Sequence, residues 1–295
     1  MKTAVITARA QATSRWSDIS QLVKARLTFL VLVTTAVGYY LPDTPFDPAG
    51  FFHVLFGAAL AAGGAAALNQ WWERDFDALM VRTRERPVAA GRMPARSALF
   101  LGCTLAAAGI IYLAVTTNLL AAFLAALTVV IYVLAYTPLK RVTTTNTLIG
   151  AVPGALPPLI GWAAAAGSLD FAAWTLFAIL FIWQMPHFFA IAWMYRHEYQ
   201  SAGFRMLSRD DESGGRSASQ AVLFCIGLLI VGGFPAFIGM AHPLYLVAEL
   251  LLSGAFTTLA MRFHRDGTLR NARLLFLGSI VYLPSLLAAL TIAKT

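Results

Sequence analysis

The segment FFHVLFGAALAAGGAAALNQWWERDFD, residues 51–77, decides how the rest of the chain is interpreted. Its first 18 residues contain no Asp, Glu, Lys or Arg, and a run of that length is typical of a helix that enters a membrane. Asn69, Glu73 and Asp77 follow at intervals of four residues, which places their side chains on one face if the helix continues. Asp75 then falls roughly on the opposite side.

The polar end of this segment allows two interpretations. An oxygen-rich helix face followed by Arg82, Arg84 and Arg86 suits a hard divalent cation and the diphosphate that the cation bridges. The alternative is a solvated helix end whose acidic and basic side chains pair one turn apart. The rest of the sequence has to decide between them.

The composition is that of a membrane protein. Of 295 residues, 59% are hydrophobic and 12% are charged, against about 25% charged in a typical soluble domain. This length fits one helical bundle without a large soluble domain. The net charge of +8 would favour nucleic-acid binding in a soluble protein, but here the position of the cations along the chain explains it better. We therefore expect no nucleic-acid partner.

Apolar stretches long enough to span a bilayer recur along the whole chain. There are nine, near residues 23–41, 51–71, 97–116, 119–136, 145–165, 171–194, 218–240, 243–261 and 273–292. They predict an all-α fold, a polytopic bundle of nine transmembrane helices. The prolines of residues 153–158 interrupt the fifth stretch, so we expect this break to border the substrate chamber. Glu249, well inside the eighth stretch, is expected to snorkel or to form an internal hydrogen bond, with a role in proton or substrate movement as the alternative.

The basic residues mark one side of the predicted bundle. With nine spans, 21 of the 22 Lys and Arg fall on the side of the N-terminus, and only Lys294 lies opposite. This asymmetry predicts a cytoplasmic N-terminus and an external C-terminus. We interpret residues 1–22 as a short cytosolic tail, with an organellar transit peptide as the alternative. Residues 23–292 then form a single nine-helix domain.

A second polar cluster closes the sixth span. Its sequence is Trp183-Gln184-Met185-Pro186-His187-Phe188, and Tyr195-Arg196-His197-Glu198-Tyr199 follows. Two such helix ends, four spans apart, can face each other across a central cavity open to the cytoplasmic side.

A cavity with charged and polar groups at its edge suits a substrate with an ionic head and an apolar tail, such as a prenyl diphosphate. Asn69, Glu73 and Asp77 are the candidate Mg²⁺ ligands, and the metal would neutralise the diphosphate as it leaves. Nearby cations are the candidates for charge-assisted hydrogen bonds to the diphosphate: Arg82, Arg86, Lys140 and Arg141. Aromatic ring faces would steady an allylic cation.

Several separate motifs resemble the UbiA superfamily of intramembrane prenyltransferases, and within it the protohaem IX farnesyltransferases. Asn69-xxx-Glu73-xxx-Asp77 with Arg82-Thr83-xx-Arg86-Pro87 is similar to the first aspartate-rich motif of the superfamily. The elements similar to the narrower family are Tyr136-Thr137-Pro138-Leu139-Lys140-Arg141, the proline-rich break, Trp183 to Phe188, Tyr195 to Leu207 and Phe276 to Leu283. Together they run from about Lys24 to Leu283.

This resemblance implies a nine-helix bacterial inner-membrane enzyme, embedded in the lipid bilayer, that joins haem B and farnesyl diphosphate. The farnesyl carbon is added to a vinyl group and water supplies a hydroxyl, giving haem O and diphosphate. It also implies Mg²⁺ as cofactor and a haem A synthase as downstream partner. Asn69, Glu73 and Asp77 occupy the metal–diphosphate motif, and Lys140 lies in a loop that helps to hold the diphosphate.

The chain departs from the superfamily pattern in both motifs. Glu73 stands where Asp is usual, and the second motif, usually aspartate-rich, offers other groups: His187, Tyr195, Arg196 and Glu198. We predict Glu198 as a further metal ligand and Arg196 as a diphosphate ligand. We predict contact with haem for His187, Met185 and Tyr195, and a catalytic role for His187. A helix-buried histidine and a cavity-lining methionine are the alternatives.

Two other functions compete with this one. A prenyltransferase with another acceptor, such as a quinone precursor or chlorophyllide, is the first, but those families lack the Trp183 to Phe188 motif. A transporter is the second. The charged clusters, however, lie on the inner rim instead of the midplane, where transport sites lie.

Overall fold

The structure is a computed structural model that describes residues 14–295. The part of the predicted tail formed by residues 1–13 lies outside the described residues. Apart from one isolated β-bridge between Ala241 and Lys294, the regular structure of the described residues is helical. The helices are α1 (Arg15–Leu22), α2 (Ala25–Tyr40), α3 (Pro48–Asp77), α4 (Ala95–Thr116), α5 (Leu119–Val130), α6 (Thr137–Leu139), α7 (Asn146–Ala155), α8 (Pro157–Ala166), α9 (Phe171–Met194), α10 (Arg196–Ser201), α11 (Gly215–Val231), α12 (Phe234–Phe237), α13 (Tyr245–Asp266) and α14 (Leu269–Ile292).

The predicted all-α bundle is confirmed, and the described residues contain eight to nine candidate membrane spans. Within residues 14–295, eight helical segments are long and apolar enough to cross a membrane. The count is nine if α1 and α2, which meet at a bend of 48°, together form one broken span. At 16 residues, α2 is shorter than the about 20 residues that a bilayer core requires. The second span is longer than predicted, because α3 continues for 30 residues to Asp77.

The start of α3 follows directly from its sequence. Asp47 caps the helix by accepting hydrogen bonds from the backbone N–H groups of Ala49 and Gly50. Pro48 occupies the first helical position, where its missing N–H costs nothing. The helix is therefore fixed at the end far from Asn69, Glu73 and Asp77, and its uninterrupted winding sets the direction in which these three side chains point.

Two spans contain a break or a change of winding. Between α5 and α6, residues Ile131–Tyr136 form a π-helix. Leu156 separates α7 from α8 at the proline-rich break that the sequence predicts. The side-chain amide of Gln184, on α9, donates to the Ala151 carbonyl at 2.7 Å. A side chain of a neighbouring helix thus gives a backbone carbonyl beside the break a hydrogen-bond partner. A helix break inside a membrane is tolerated only where the protein supplies such partners.

Six segments form what we call the inner ring. It consists of α2, α3, α5 with its π-helical continuation, α7, α9 and α14, each packed against the next. The ring closes where α14 meets α2, and α8 packs on α2 and α5. α4, α11 and α13 pack outside the ring, on α3, α9 and α14. The interior of the ring is the space into which residues of several helices can converge.

Contacts between loops establish the two ends of the bundle. On one end, the backbone N–H of Arg205 donates to the Lys140 carbonyl at 2.7 Å, and Trp193 Nε1 donates to the Gly267 carbonyl at 2.9 Å. On the other, Lys294 Nζ donates to the carbonyls of Tyr40 and Pro42 at 2.8 and 2.9 Å. Among the described residues, Lys294 is the one cation at this second end. The cytoplasmic assignment of the first end stays a prediction.

Glu249 is buried in the bundle, with no exposed surface. Ser253 Oγ donates to Glu249 Oε1 at 2.7 Å and lies 2.8 Å from the Tyr282 hydroxyl. The predicted internal hydrogen bond is therefore confirmed, and the alternative, snorkelling, is wrong because the side chain reaches no surface.

The close approach of α3 and α4 depends on small residues. A Cβ added at Gly64 would meet the backbone of Ala106 on α4, and one added at Gly109 would meet the backbone of Ala61 on α3. Backbone cannot move aside as a side-chain tip can. Small residues at a helix seam are a common way for membrane helices to pack closely.

We predict that Gly64→Val lowers the free energy of unfolding by about 1–3 kcal/mol or more, because the larger side chain forces α3 away from α4. Gly254→Val is the matched control, since a Cβ at Gly254 has open space around it. Thermal unfolding in detergent measures both variants. Equal stability of the two would contradict the proposed packing constraint.

Candidate active site

The predicted face of α3 is present and buried. Asn69, Glu73 and Asp77 keep 0%, 4% and 3% of their surface exposed. Lys24, which precedes α2, donates from Nζ to Asn69 Oδ1 at 2.7 Å. The Asn69 amide in turn donates to the Thr137 hydroxyl at 3.1 Å. Asn69 is thus oriented by residues from two other segments of the bundle.

Glu73 forms a buried ion pair with Lys140. The Lys140 Nζ and Glu73 Oε1 atoms are 2.7 Å apart. Burial disfavours the charged form of Lys140, but the Glu73 carboxylate outweighs it and raises the pKa of Lys140 above its usual range. The same ammonium group lies 4.4 Å from the centre of the Tyr136 ring. Lys140 is therefore a fixed positive charge beside this carboxylate.

Asp77 forms the second ion pair of the site. Arg86 Nη1 lies 2.6 Å from Asp77 Oδ2, and the arginine side chain is 22% exposed. The Thr83 hydroxyl donates to the Asp77 carbonyl at 2.9 Å, which ties the loop after α3 to the helix end. The loop is thus folded back so that its arginine reaches the carboxylate.

A cavity of about 60 Å³ lies between these groups. Polar and charged side chains form one part of its lining: Lys24, Asn69, Glu73, Asp77, Arg82, Arg86, Tyr136, Lys140 and Tyr199. Met80, Phe204 and Met206 line it as well and belong to one buried apolar cluster. Charged groups and an apolar part of the lining therefore meet at one end of the bundle.

Arg82 connects the two polar loops. Its backbone N–H donates to Glu198 Oε2 at 3.1 Å, and its guanidinium donates to the Tyr199 hydroxyl at 3.0 Å. The guanidinium also lies over the Tyr195 ring at 5.3 Å. The predicted meeting of the helix ends of α3 and α9 is therefore present, with an arginine as the bridge.

Three of the predicted site residues do not line this cavity. Arg141 stacks on Phe76 at 4.1 Å and lines a neighbouring pocket of about 310 Å³, which shares Glu73 with the cavity. Arg196 stacks on Trp193 at 4.2 Å and donates to the Trp193 carbonyl at 3.0 Å. Glu198 makes the contact with Arg82 and is not grouped with the carboxylates of α3. The roles predicted for these residues stay predictions.

The residues predicted to contact haem lie along α9 and directly after its end. Met185 is fully buried in the apolar core. Tyr195 lies under the guanidinium of Arg82, which lines the cavity. His187 is half-buried, and its Nδ1 lies 2.7 Å from the Ser279 hydroxyl on α14.

The site contains residues that are not among the predicted ones. Lys24, Tyr136 and Thr137 all contact the motif or line its cavity. The sequence feature that could have identified Lys24 as a site residue is its position at the very start of the first apolar stretch. Lys24 has a φ of 48° and is the one non-glycine residue with a positive φ in residues 14–295. This backbone conformation lies at the bend between α1 and α2, from which its side chain reaches Asn69.

The donor set fits a magnesium ion. Glu73 Oε1 and Asp77 Oδ2 are engaged by cations, while Glu73 Oε2 and Asp77 Oδ1 accept no hydrogen bond from the described residues. Both residues line the cavity. Residues 14–295 hold no group of three or more His, Cys, Asp or Glu suited to a metal. Proteins usually bind Mg²⁺ through one or two carboxylates, and oxygens of the substrate phosphates complete the coordination.

Asp75 is excluded from this face, as expected. Its side chain is 74% exposed and lies 3.5 Å from Arg74. The carboxylate therefore belongs to the surface of the bundle.

Comparison with known proteins defines the class. The sequence profile of the UbiA prenyltransferase family matches residues 31–283. The fold is also that of solved structures at 14% identity: a digeranylgeranylglyceryl phosphate synthase has a TM-score of 0.79, with 94% of this chain and 98% of the other covered. A UbiA homolog from Archaeoglobus fulgidus, bound to DMAPP and Mg²⁺, has a TM-score of 0.69, with 93% and 99% covered. The chain belongs to the UbiA prenyltransferase family.

Its relatives point to one branch of that family. Protoheme IX farnesyltransferase of Solibacter usitatus is 44% identical over 90% of this chain and 95% of its own length. The same-named protein of Myxococcus xanthus is 43% identical over 94% of this chain and 95% of its own length. A mitochondrial protein of this name from Arabidopsis thaliana is 37% identical, over 93% of this chain and 64% of its own length.

We predict that Lys140→Met lowers the free energy of unfolding by about 3–5 kcal/mol, because it leaves the Glu73 carboxylate buried without its closest cation. The double variant Glu73→Gln with Lys140→Met should recover most of this loss, since no buried charge then lacks a partner. Thermal unfolding of the single and double variants in detergent measures the coupling. Additive losses would show that the pair does not contribute as a unit.

Proposed function

We propose that the protein transfers a farnesyl group from farnesyl diphosphate to a vinyl group of haem B, with addition of water, and releases haem O and diphosphate. The observation that carries the proposal is the buried cavity in which Glu73 and Asp77 each keep a free oxygen beside several cations. The names of the relatives, at 37–44% identity, support the acceptor and the donor.

Glu73 and Asp77, with Asn69 as a neutral oxygen ligand, would hold Mg²⁺ together with the diphosphate. When bound, the metal supplies positive charge that stabilises the departing diphosphate. The Archaeoglobus fulgidus homolog, which was solved with DMAPP and Mg²⁺, supports the use of a divalent cation. The longer arm of Glu73, where Asp is usual, fits a carboxylate that also has to reach Lys140 across the cavity.

The cations of the cavity hold the diphosphate oxygens. Lys140, Arg82 and Arg86 all line the cavity: Lys140 follows directly after α6, and the two arginines belong to the loop after α3. Charge-assisted hydrogen bonds from these groups strengthen as the oxygens gain negative charge while the C–O bond breaks. The Tyr136 ring also lines the cavity, where the Lys140 ammonium lies over it at 4.4 Å.

The reaction needs a site that excludes bulk water but admits one water molecule. Met80, Phe204 and Met206 contribute buried apolar surface to the lining of the cavity. A C–C bond forms between the farnesyl carbon and the vinyl terminus, and a water oxygen then bonds to the neighbouring vinyl carbon. That water gives up one proton, so the products are haem O, diphosphate and one proton.

We place this activity in a bacterial inner membrane, in the domain of residues 23–292, with the cavity on the cytoplasmic side. The clustering of cations around the cavity end of the bundle supports that orientation. A haem A synthase is the enzyme class that would take haem O onward.

The test is a farnesylation assay with membranes that contain the protein, haem B, farnesyl diphosphate and Mg²⁺. We predict a farnesylated haem on chromatography. Asp77→Ala should reduce its formation by about 100-fold or more, since removal of a group that acts on transition-state charge costs that much. Asp75→Ala is the control, because this carboxylate is exposed and lies outside the cavity. Turnover of a quinone precursor instead of haem would indicate the other prenyltransferase function.

A second prediction distinguishes the roles of Arg82 and Arg196. Arg82→Ala should weaken farnesyl diphosphate binding by about 10-fold or more, because it removes a charge-assisted hydrogen-bond donor from the cavity. Arg196→Ala should change it far less, since the Arg196 guanidinium is stacked on Trp193. KM values for farnesyl diphosphate measure both, and a larger effect at Arg196 would show that its side chain turns into the cavity when substrate binds.

A further inference from the structure

The hydrogen bonds around His187 determine which of its nitrogens carries the proton. Ser279 Oγ donates to the Phe276 carbonyl at 2.6 Å, and this uses its single hydroxyl hydrogen. The 2.7 Å contact between Ser279 Oγ and His187 Nδ1 must then be donated by the histidine. In the neutral ring, a protonated Nδ1 leaves Nε2 with a free lone pair.

Nothing in residues 14–295 occupies that lone pair. His187 Nε2 has no hydrogen-bond or ionic partner among the described residues, and the side chain is half-buried. Aromatic rings hold the imidazole in place: Trp183 stacks on it at 5.6 Å, and Phe276 lies at 5.0 Å. Trp183 Nε1 also donates to the Ser279 carbonyl at 2.9 Å, which fixes α14 against this part of α9.

The free nitrogen belongs to a side chain that points into the inner ring. On α9, Trp183 reaches α14 and Gln184 reaches α7 through their hydrogen bonds. At 3.6 residues per turn, His187 lies about 40° from Trp183 and about 60° from Gln184, in the sector between them. Phe189, which contacts Phe224 of α11 outside the ring, projects about 160° from His187. The imidazole therefore faces the interior.

We propose that His187 Nε2 is the axial ligand that binds the iron of the haem substrate inside the ring. This inference rests on the proposed function for the identity of the porphyrin. Histidine nitrogen is a common axial ligand of haem iron. The other ring nitrogen of such a ligand usually donates a hydrogen bond that fixes the imidazole, and Ser279 accepts that bond here. Ligation forms one coordinate bond from the lone pair to iron and changes no oxidation state.

Ligation at this position sets the depth of the porphyrin. His187 lies seven residues before the end of α9, or about 10 Å along the helix axis from the end that carries the polar loops. An iron atom held there places the porphyrin edge toward the end of the ring where Glu73 and Asp77 lie. The histidine is thus a substrate ligand that sets the depth of the iron in the bundle, while rotation of the porphyrin about the iron–nitrogen bond is left to other contacts.

The experiment titrates the purified full-length protein in detergent with haem and records the absorption spectrum. Wild type should show the spectrum of histidine-ligated haem, and His187→Ala and His187→Gln should lose it, with affinity reduced about 10-fold or more. Added imidazole should restore it in His187→Ala. His53→Ala is the matched control, because His53 Nδ1 lies 2.7 Å from the Tyr112 hydroxyl between α3 and α4, away from the ring interior. Ser279→Ala should weaken haem affinity while keeping the ligated spectrum.

The outcomes separate this inference from the proposed function. An unchanged haem spectrum in folded His187→Gln would overturn the ligation, even if farnesylated haem still forms. A histidine-ligated spectrum in wild type that is lost in the variant would support the ligation, even if the farnesylation assay fails. Equal affinity of wild type for haem and for iron-free protoporphyrin would also overturn it, since only the iron accepts the lone pair.

Discussion

The buried pair of Glu73 and Lys140 is the interaction on which the rest of the site depends. A carboxylate with 4% of its surface exposed, at the end of a membrane helix, is stable only with a cation close by. That requirement brings the C-terminal end of the fourth span against α3. Lys24 and Arg86 act similarly on Asn69 and Asp77, so the motif draws three separate segments of the chain to one cavity.

Much of this could be predicted from the sequence. The apolar stretches predicted the spans because bilayer thickness fixes helix length, and four-residue spacing placed Asn69, Glu73 and Asp77 together because α3 winds without a break. The sequence could not predict the direction in which each long side chain points. Arg141 and Arg196 stack on aromatic rings, where local packing decides, and the reach of Lys24 depends on a left-handed residue at a bend.

The second polar loop differs from the first in what it contributes. The Glu198 carboxylate accepts a hydrogen bond from the backbone N–H of Arg82, and the Tyr199 hydroxyl accepts one from the Arg82 guanidinium. The loop after α9 therefore orients an arginine of the other loop. The spacing of polar residues predicted that the two helix ends meet, but the partner of each group depends on atomic distances that spacing does not define.

The π-helical residues Ile131–Tyr136 have a consequence for the phase of the fourth span. A π-helical turn holds more residues than an α-helical one, so everything after it is rotated relative to regular winding. Thr137 shows this directly: its backbone N–H bonds to the carbonyl of Tyr132, five residues back. Without the extra residue, Thr137 and Lys140 would be turned by about 100° around the helix axis, away from Asn69 and Glu73. One surplus residue in a lipid-facing span thus determines whether the fourth helix belongs to the site at all.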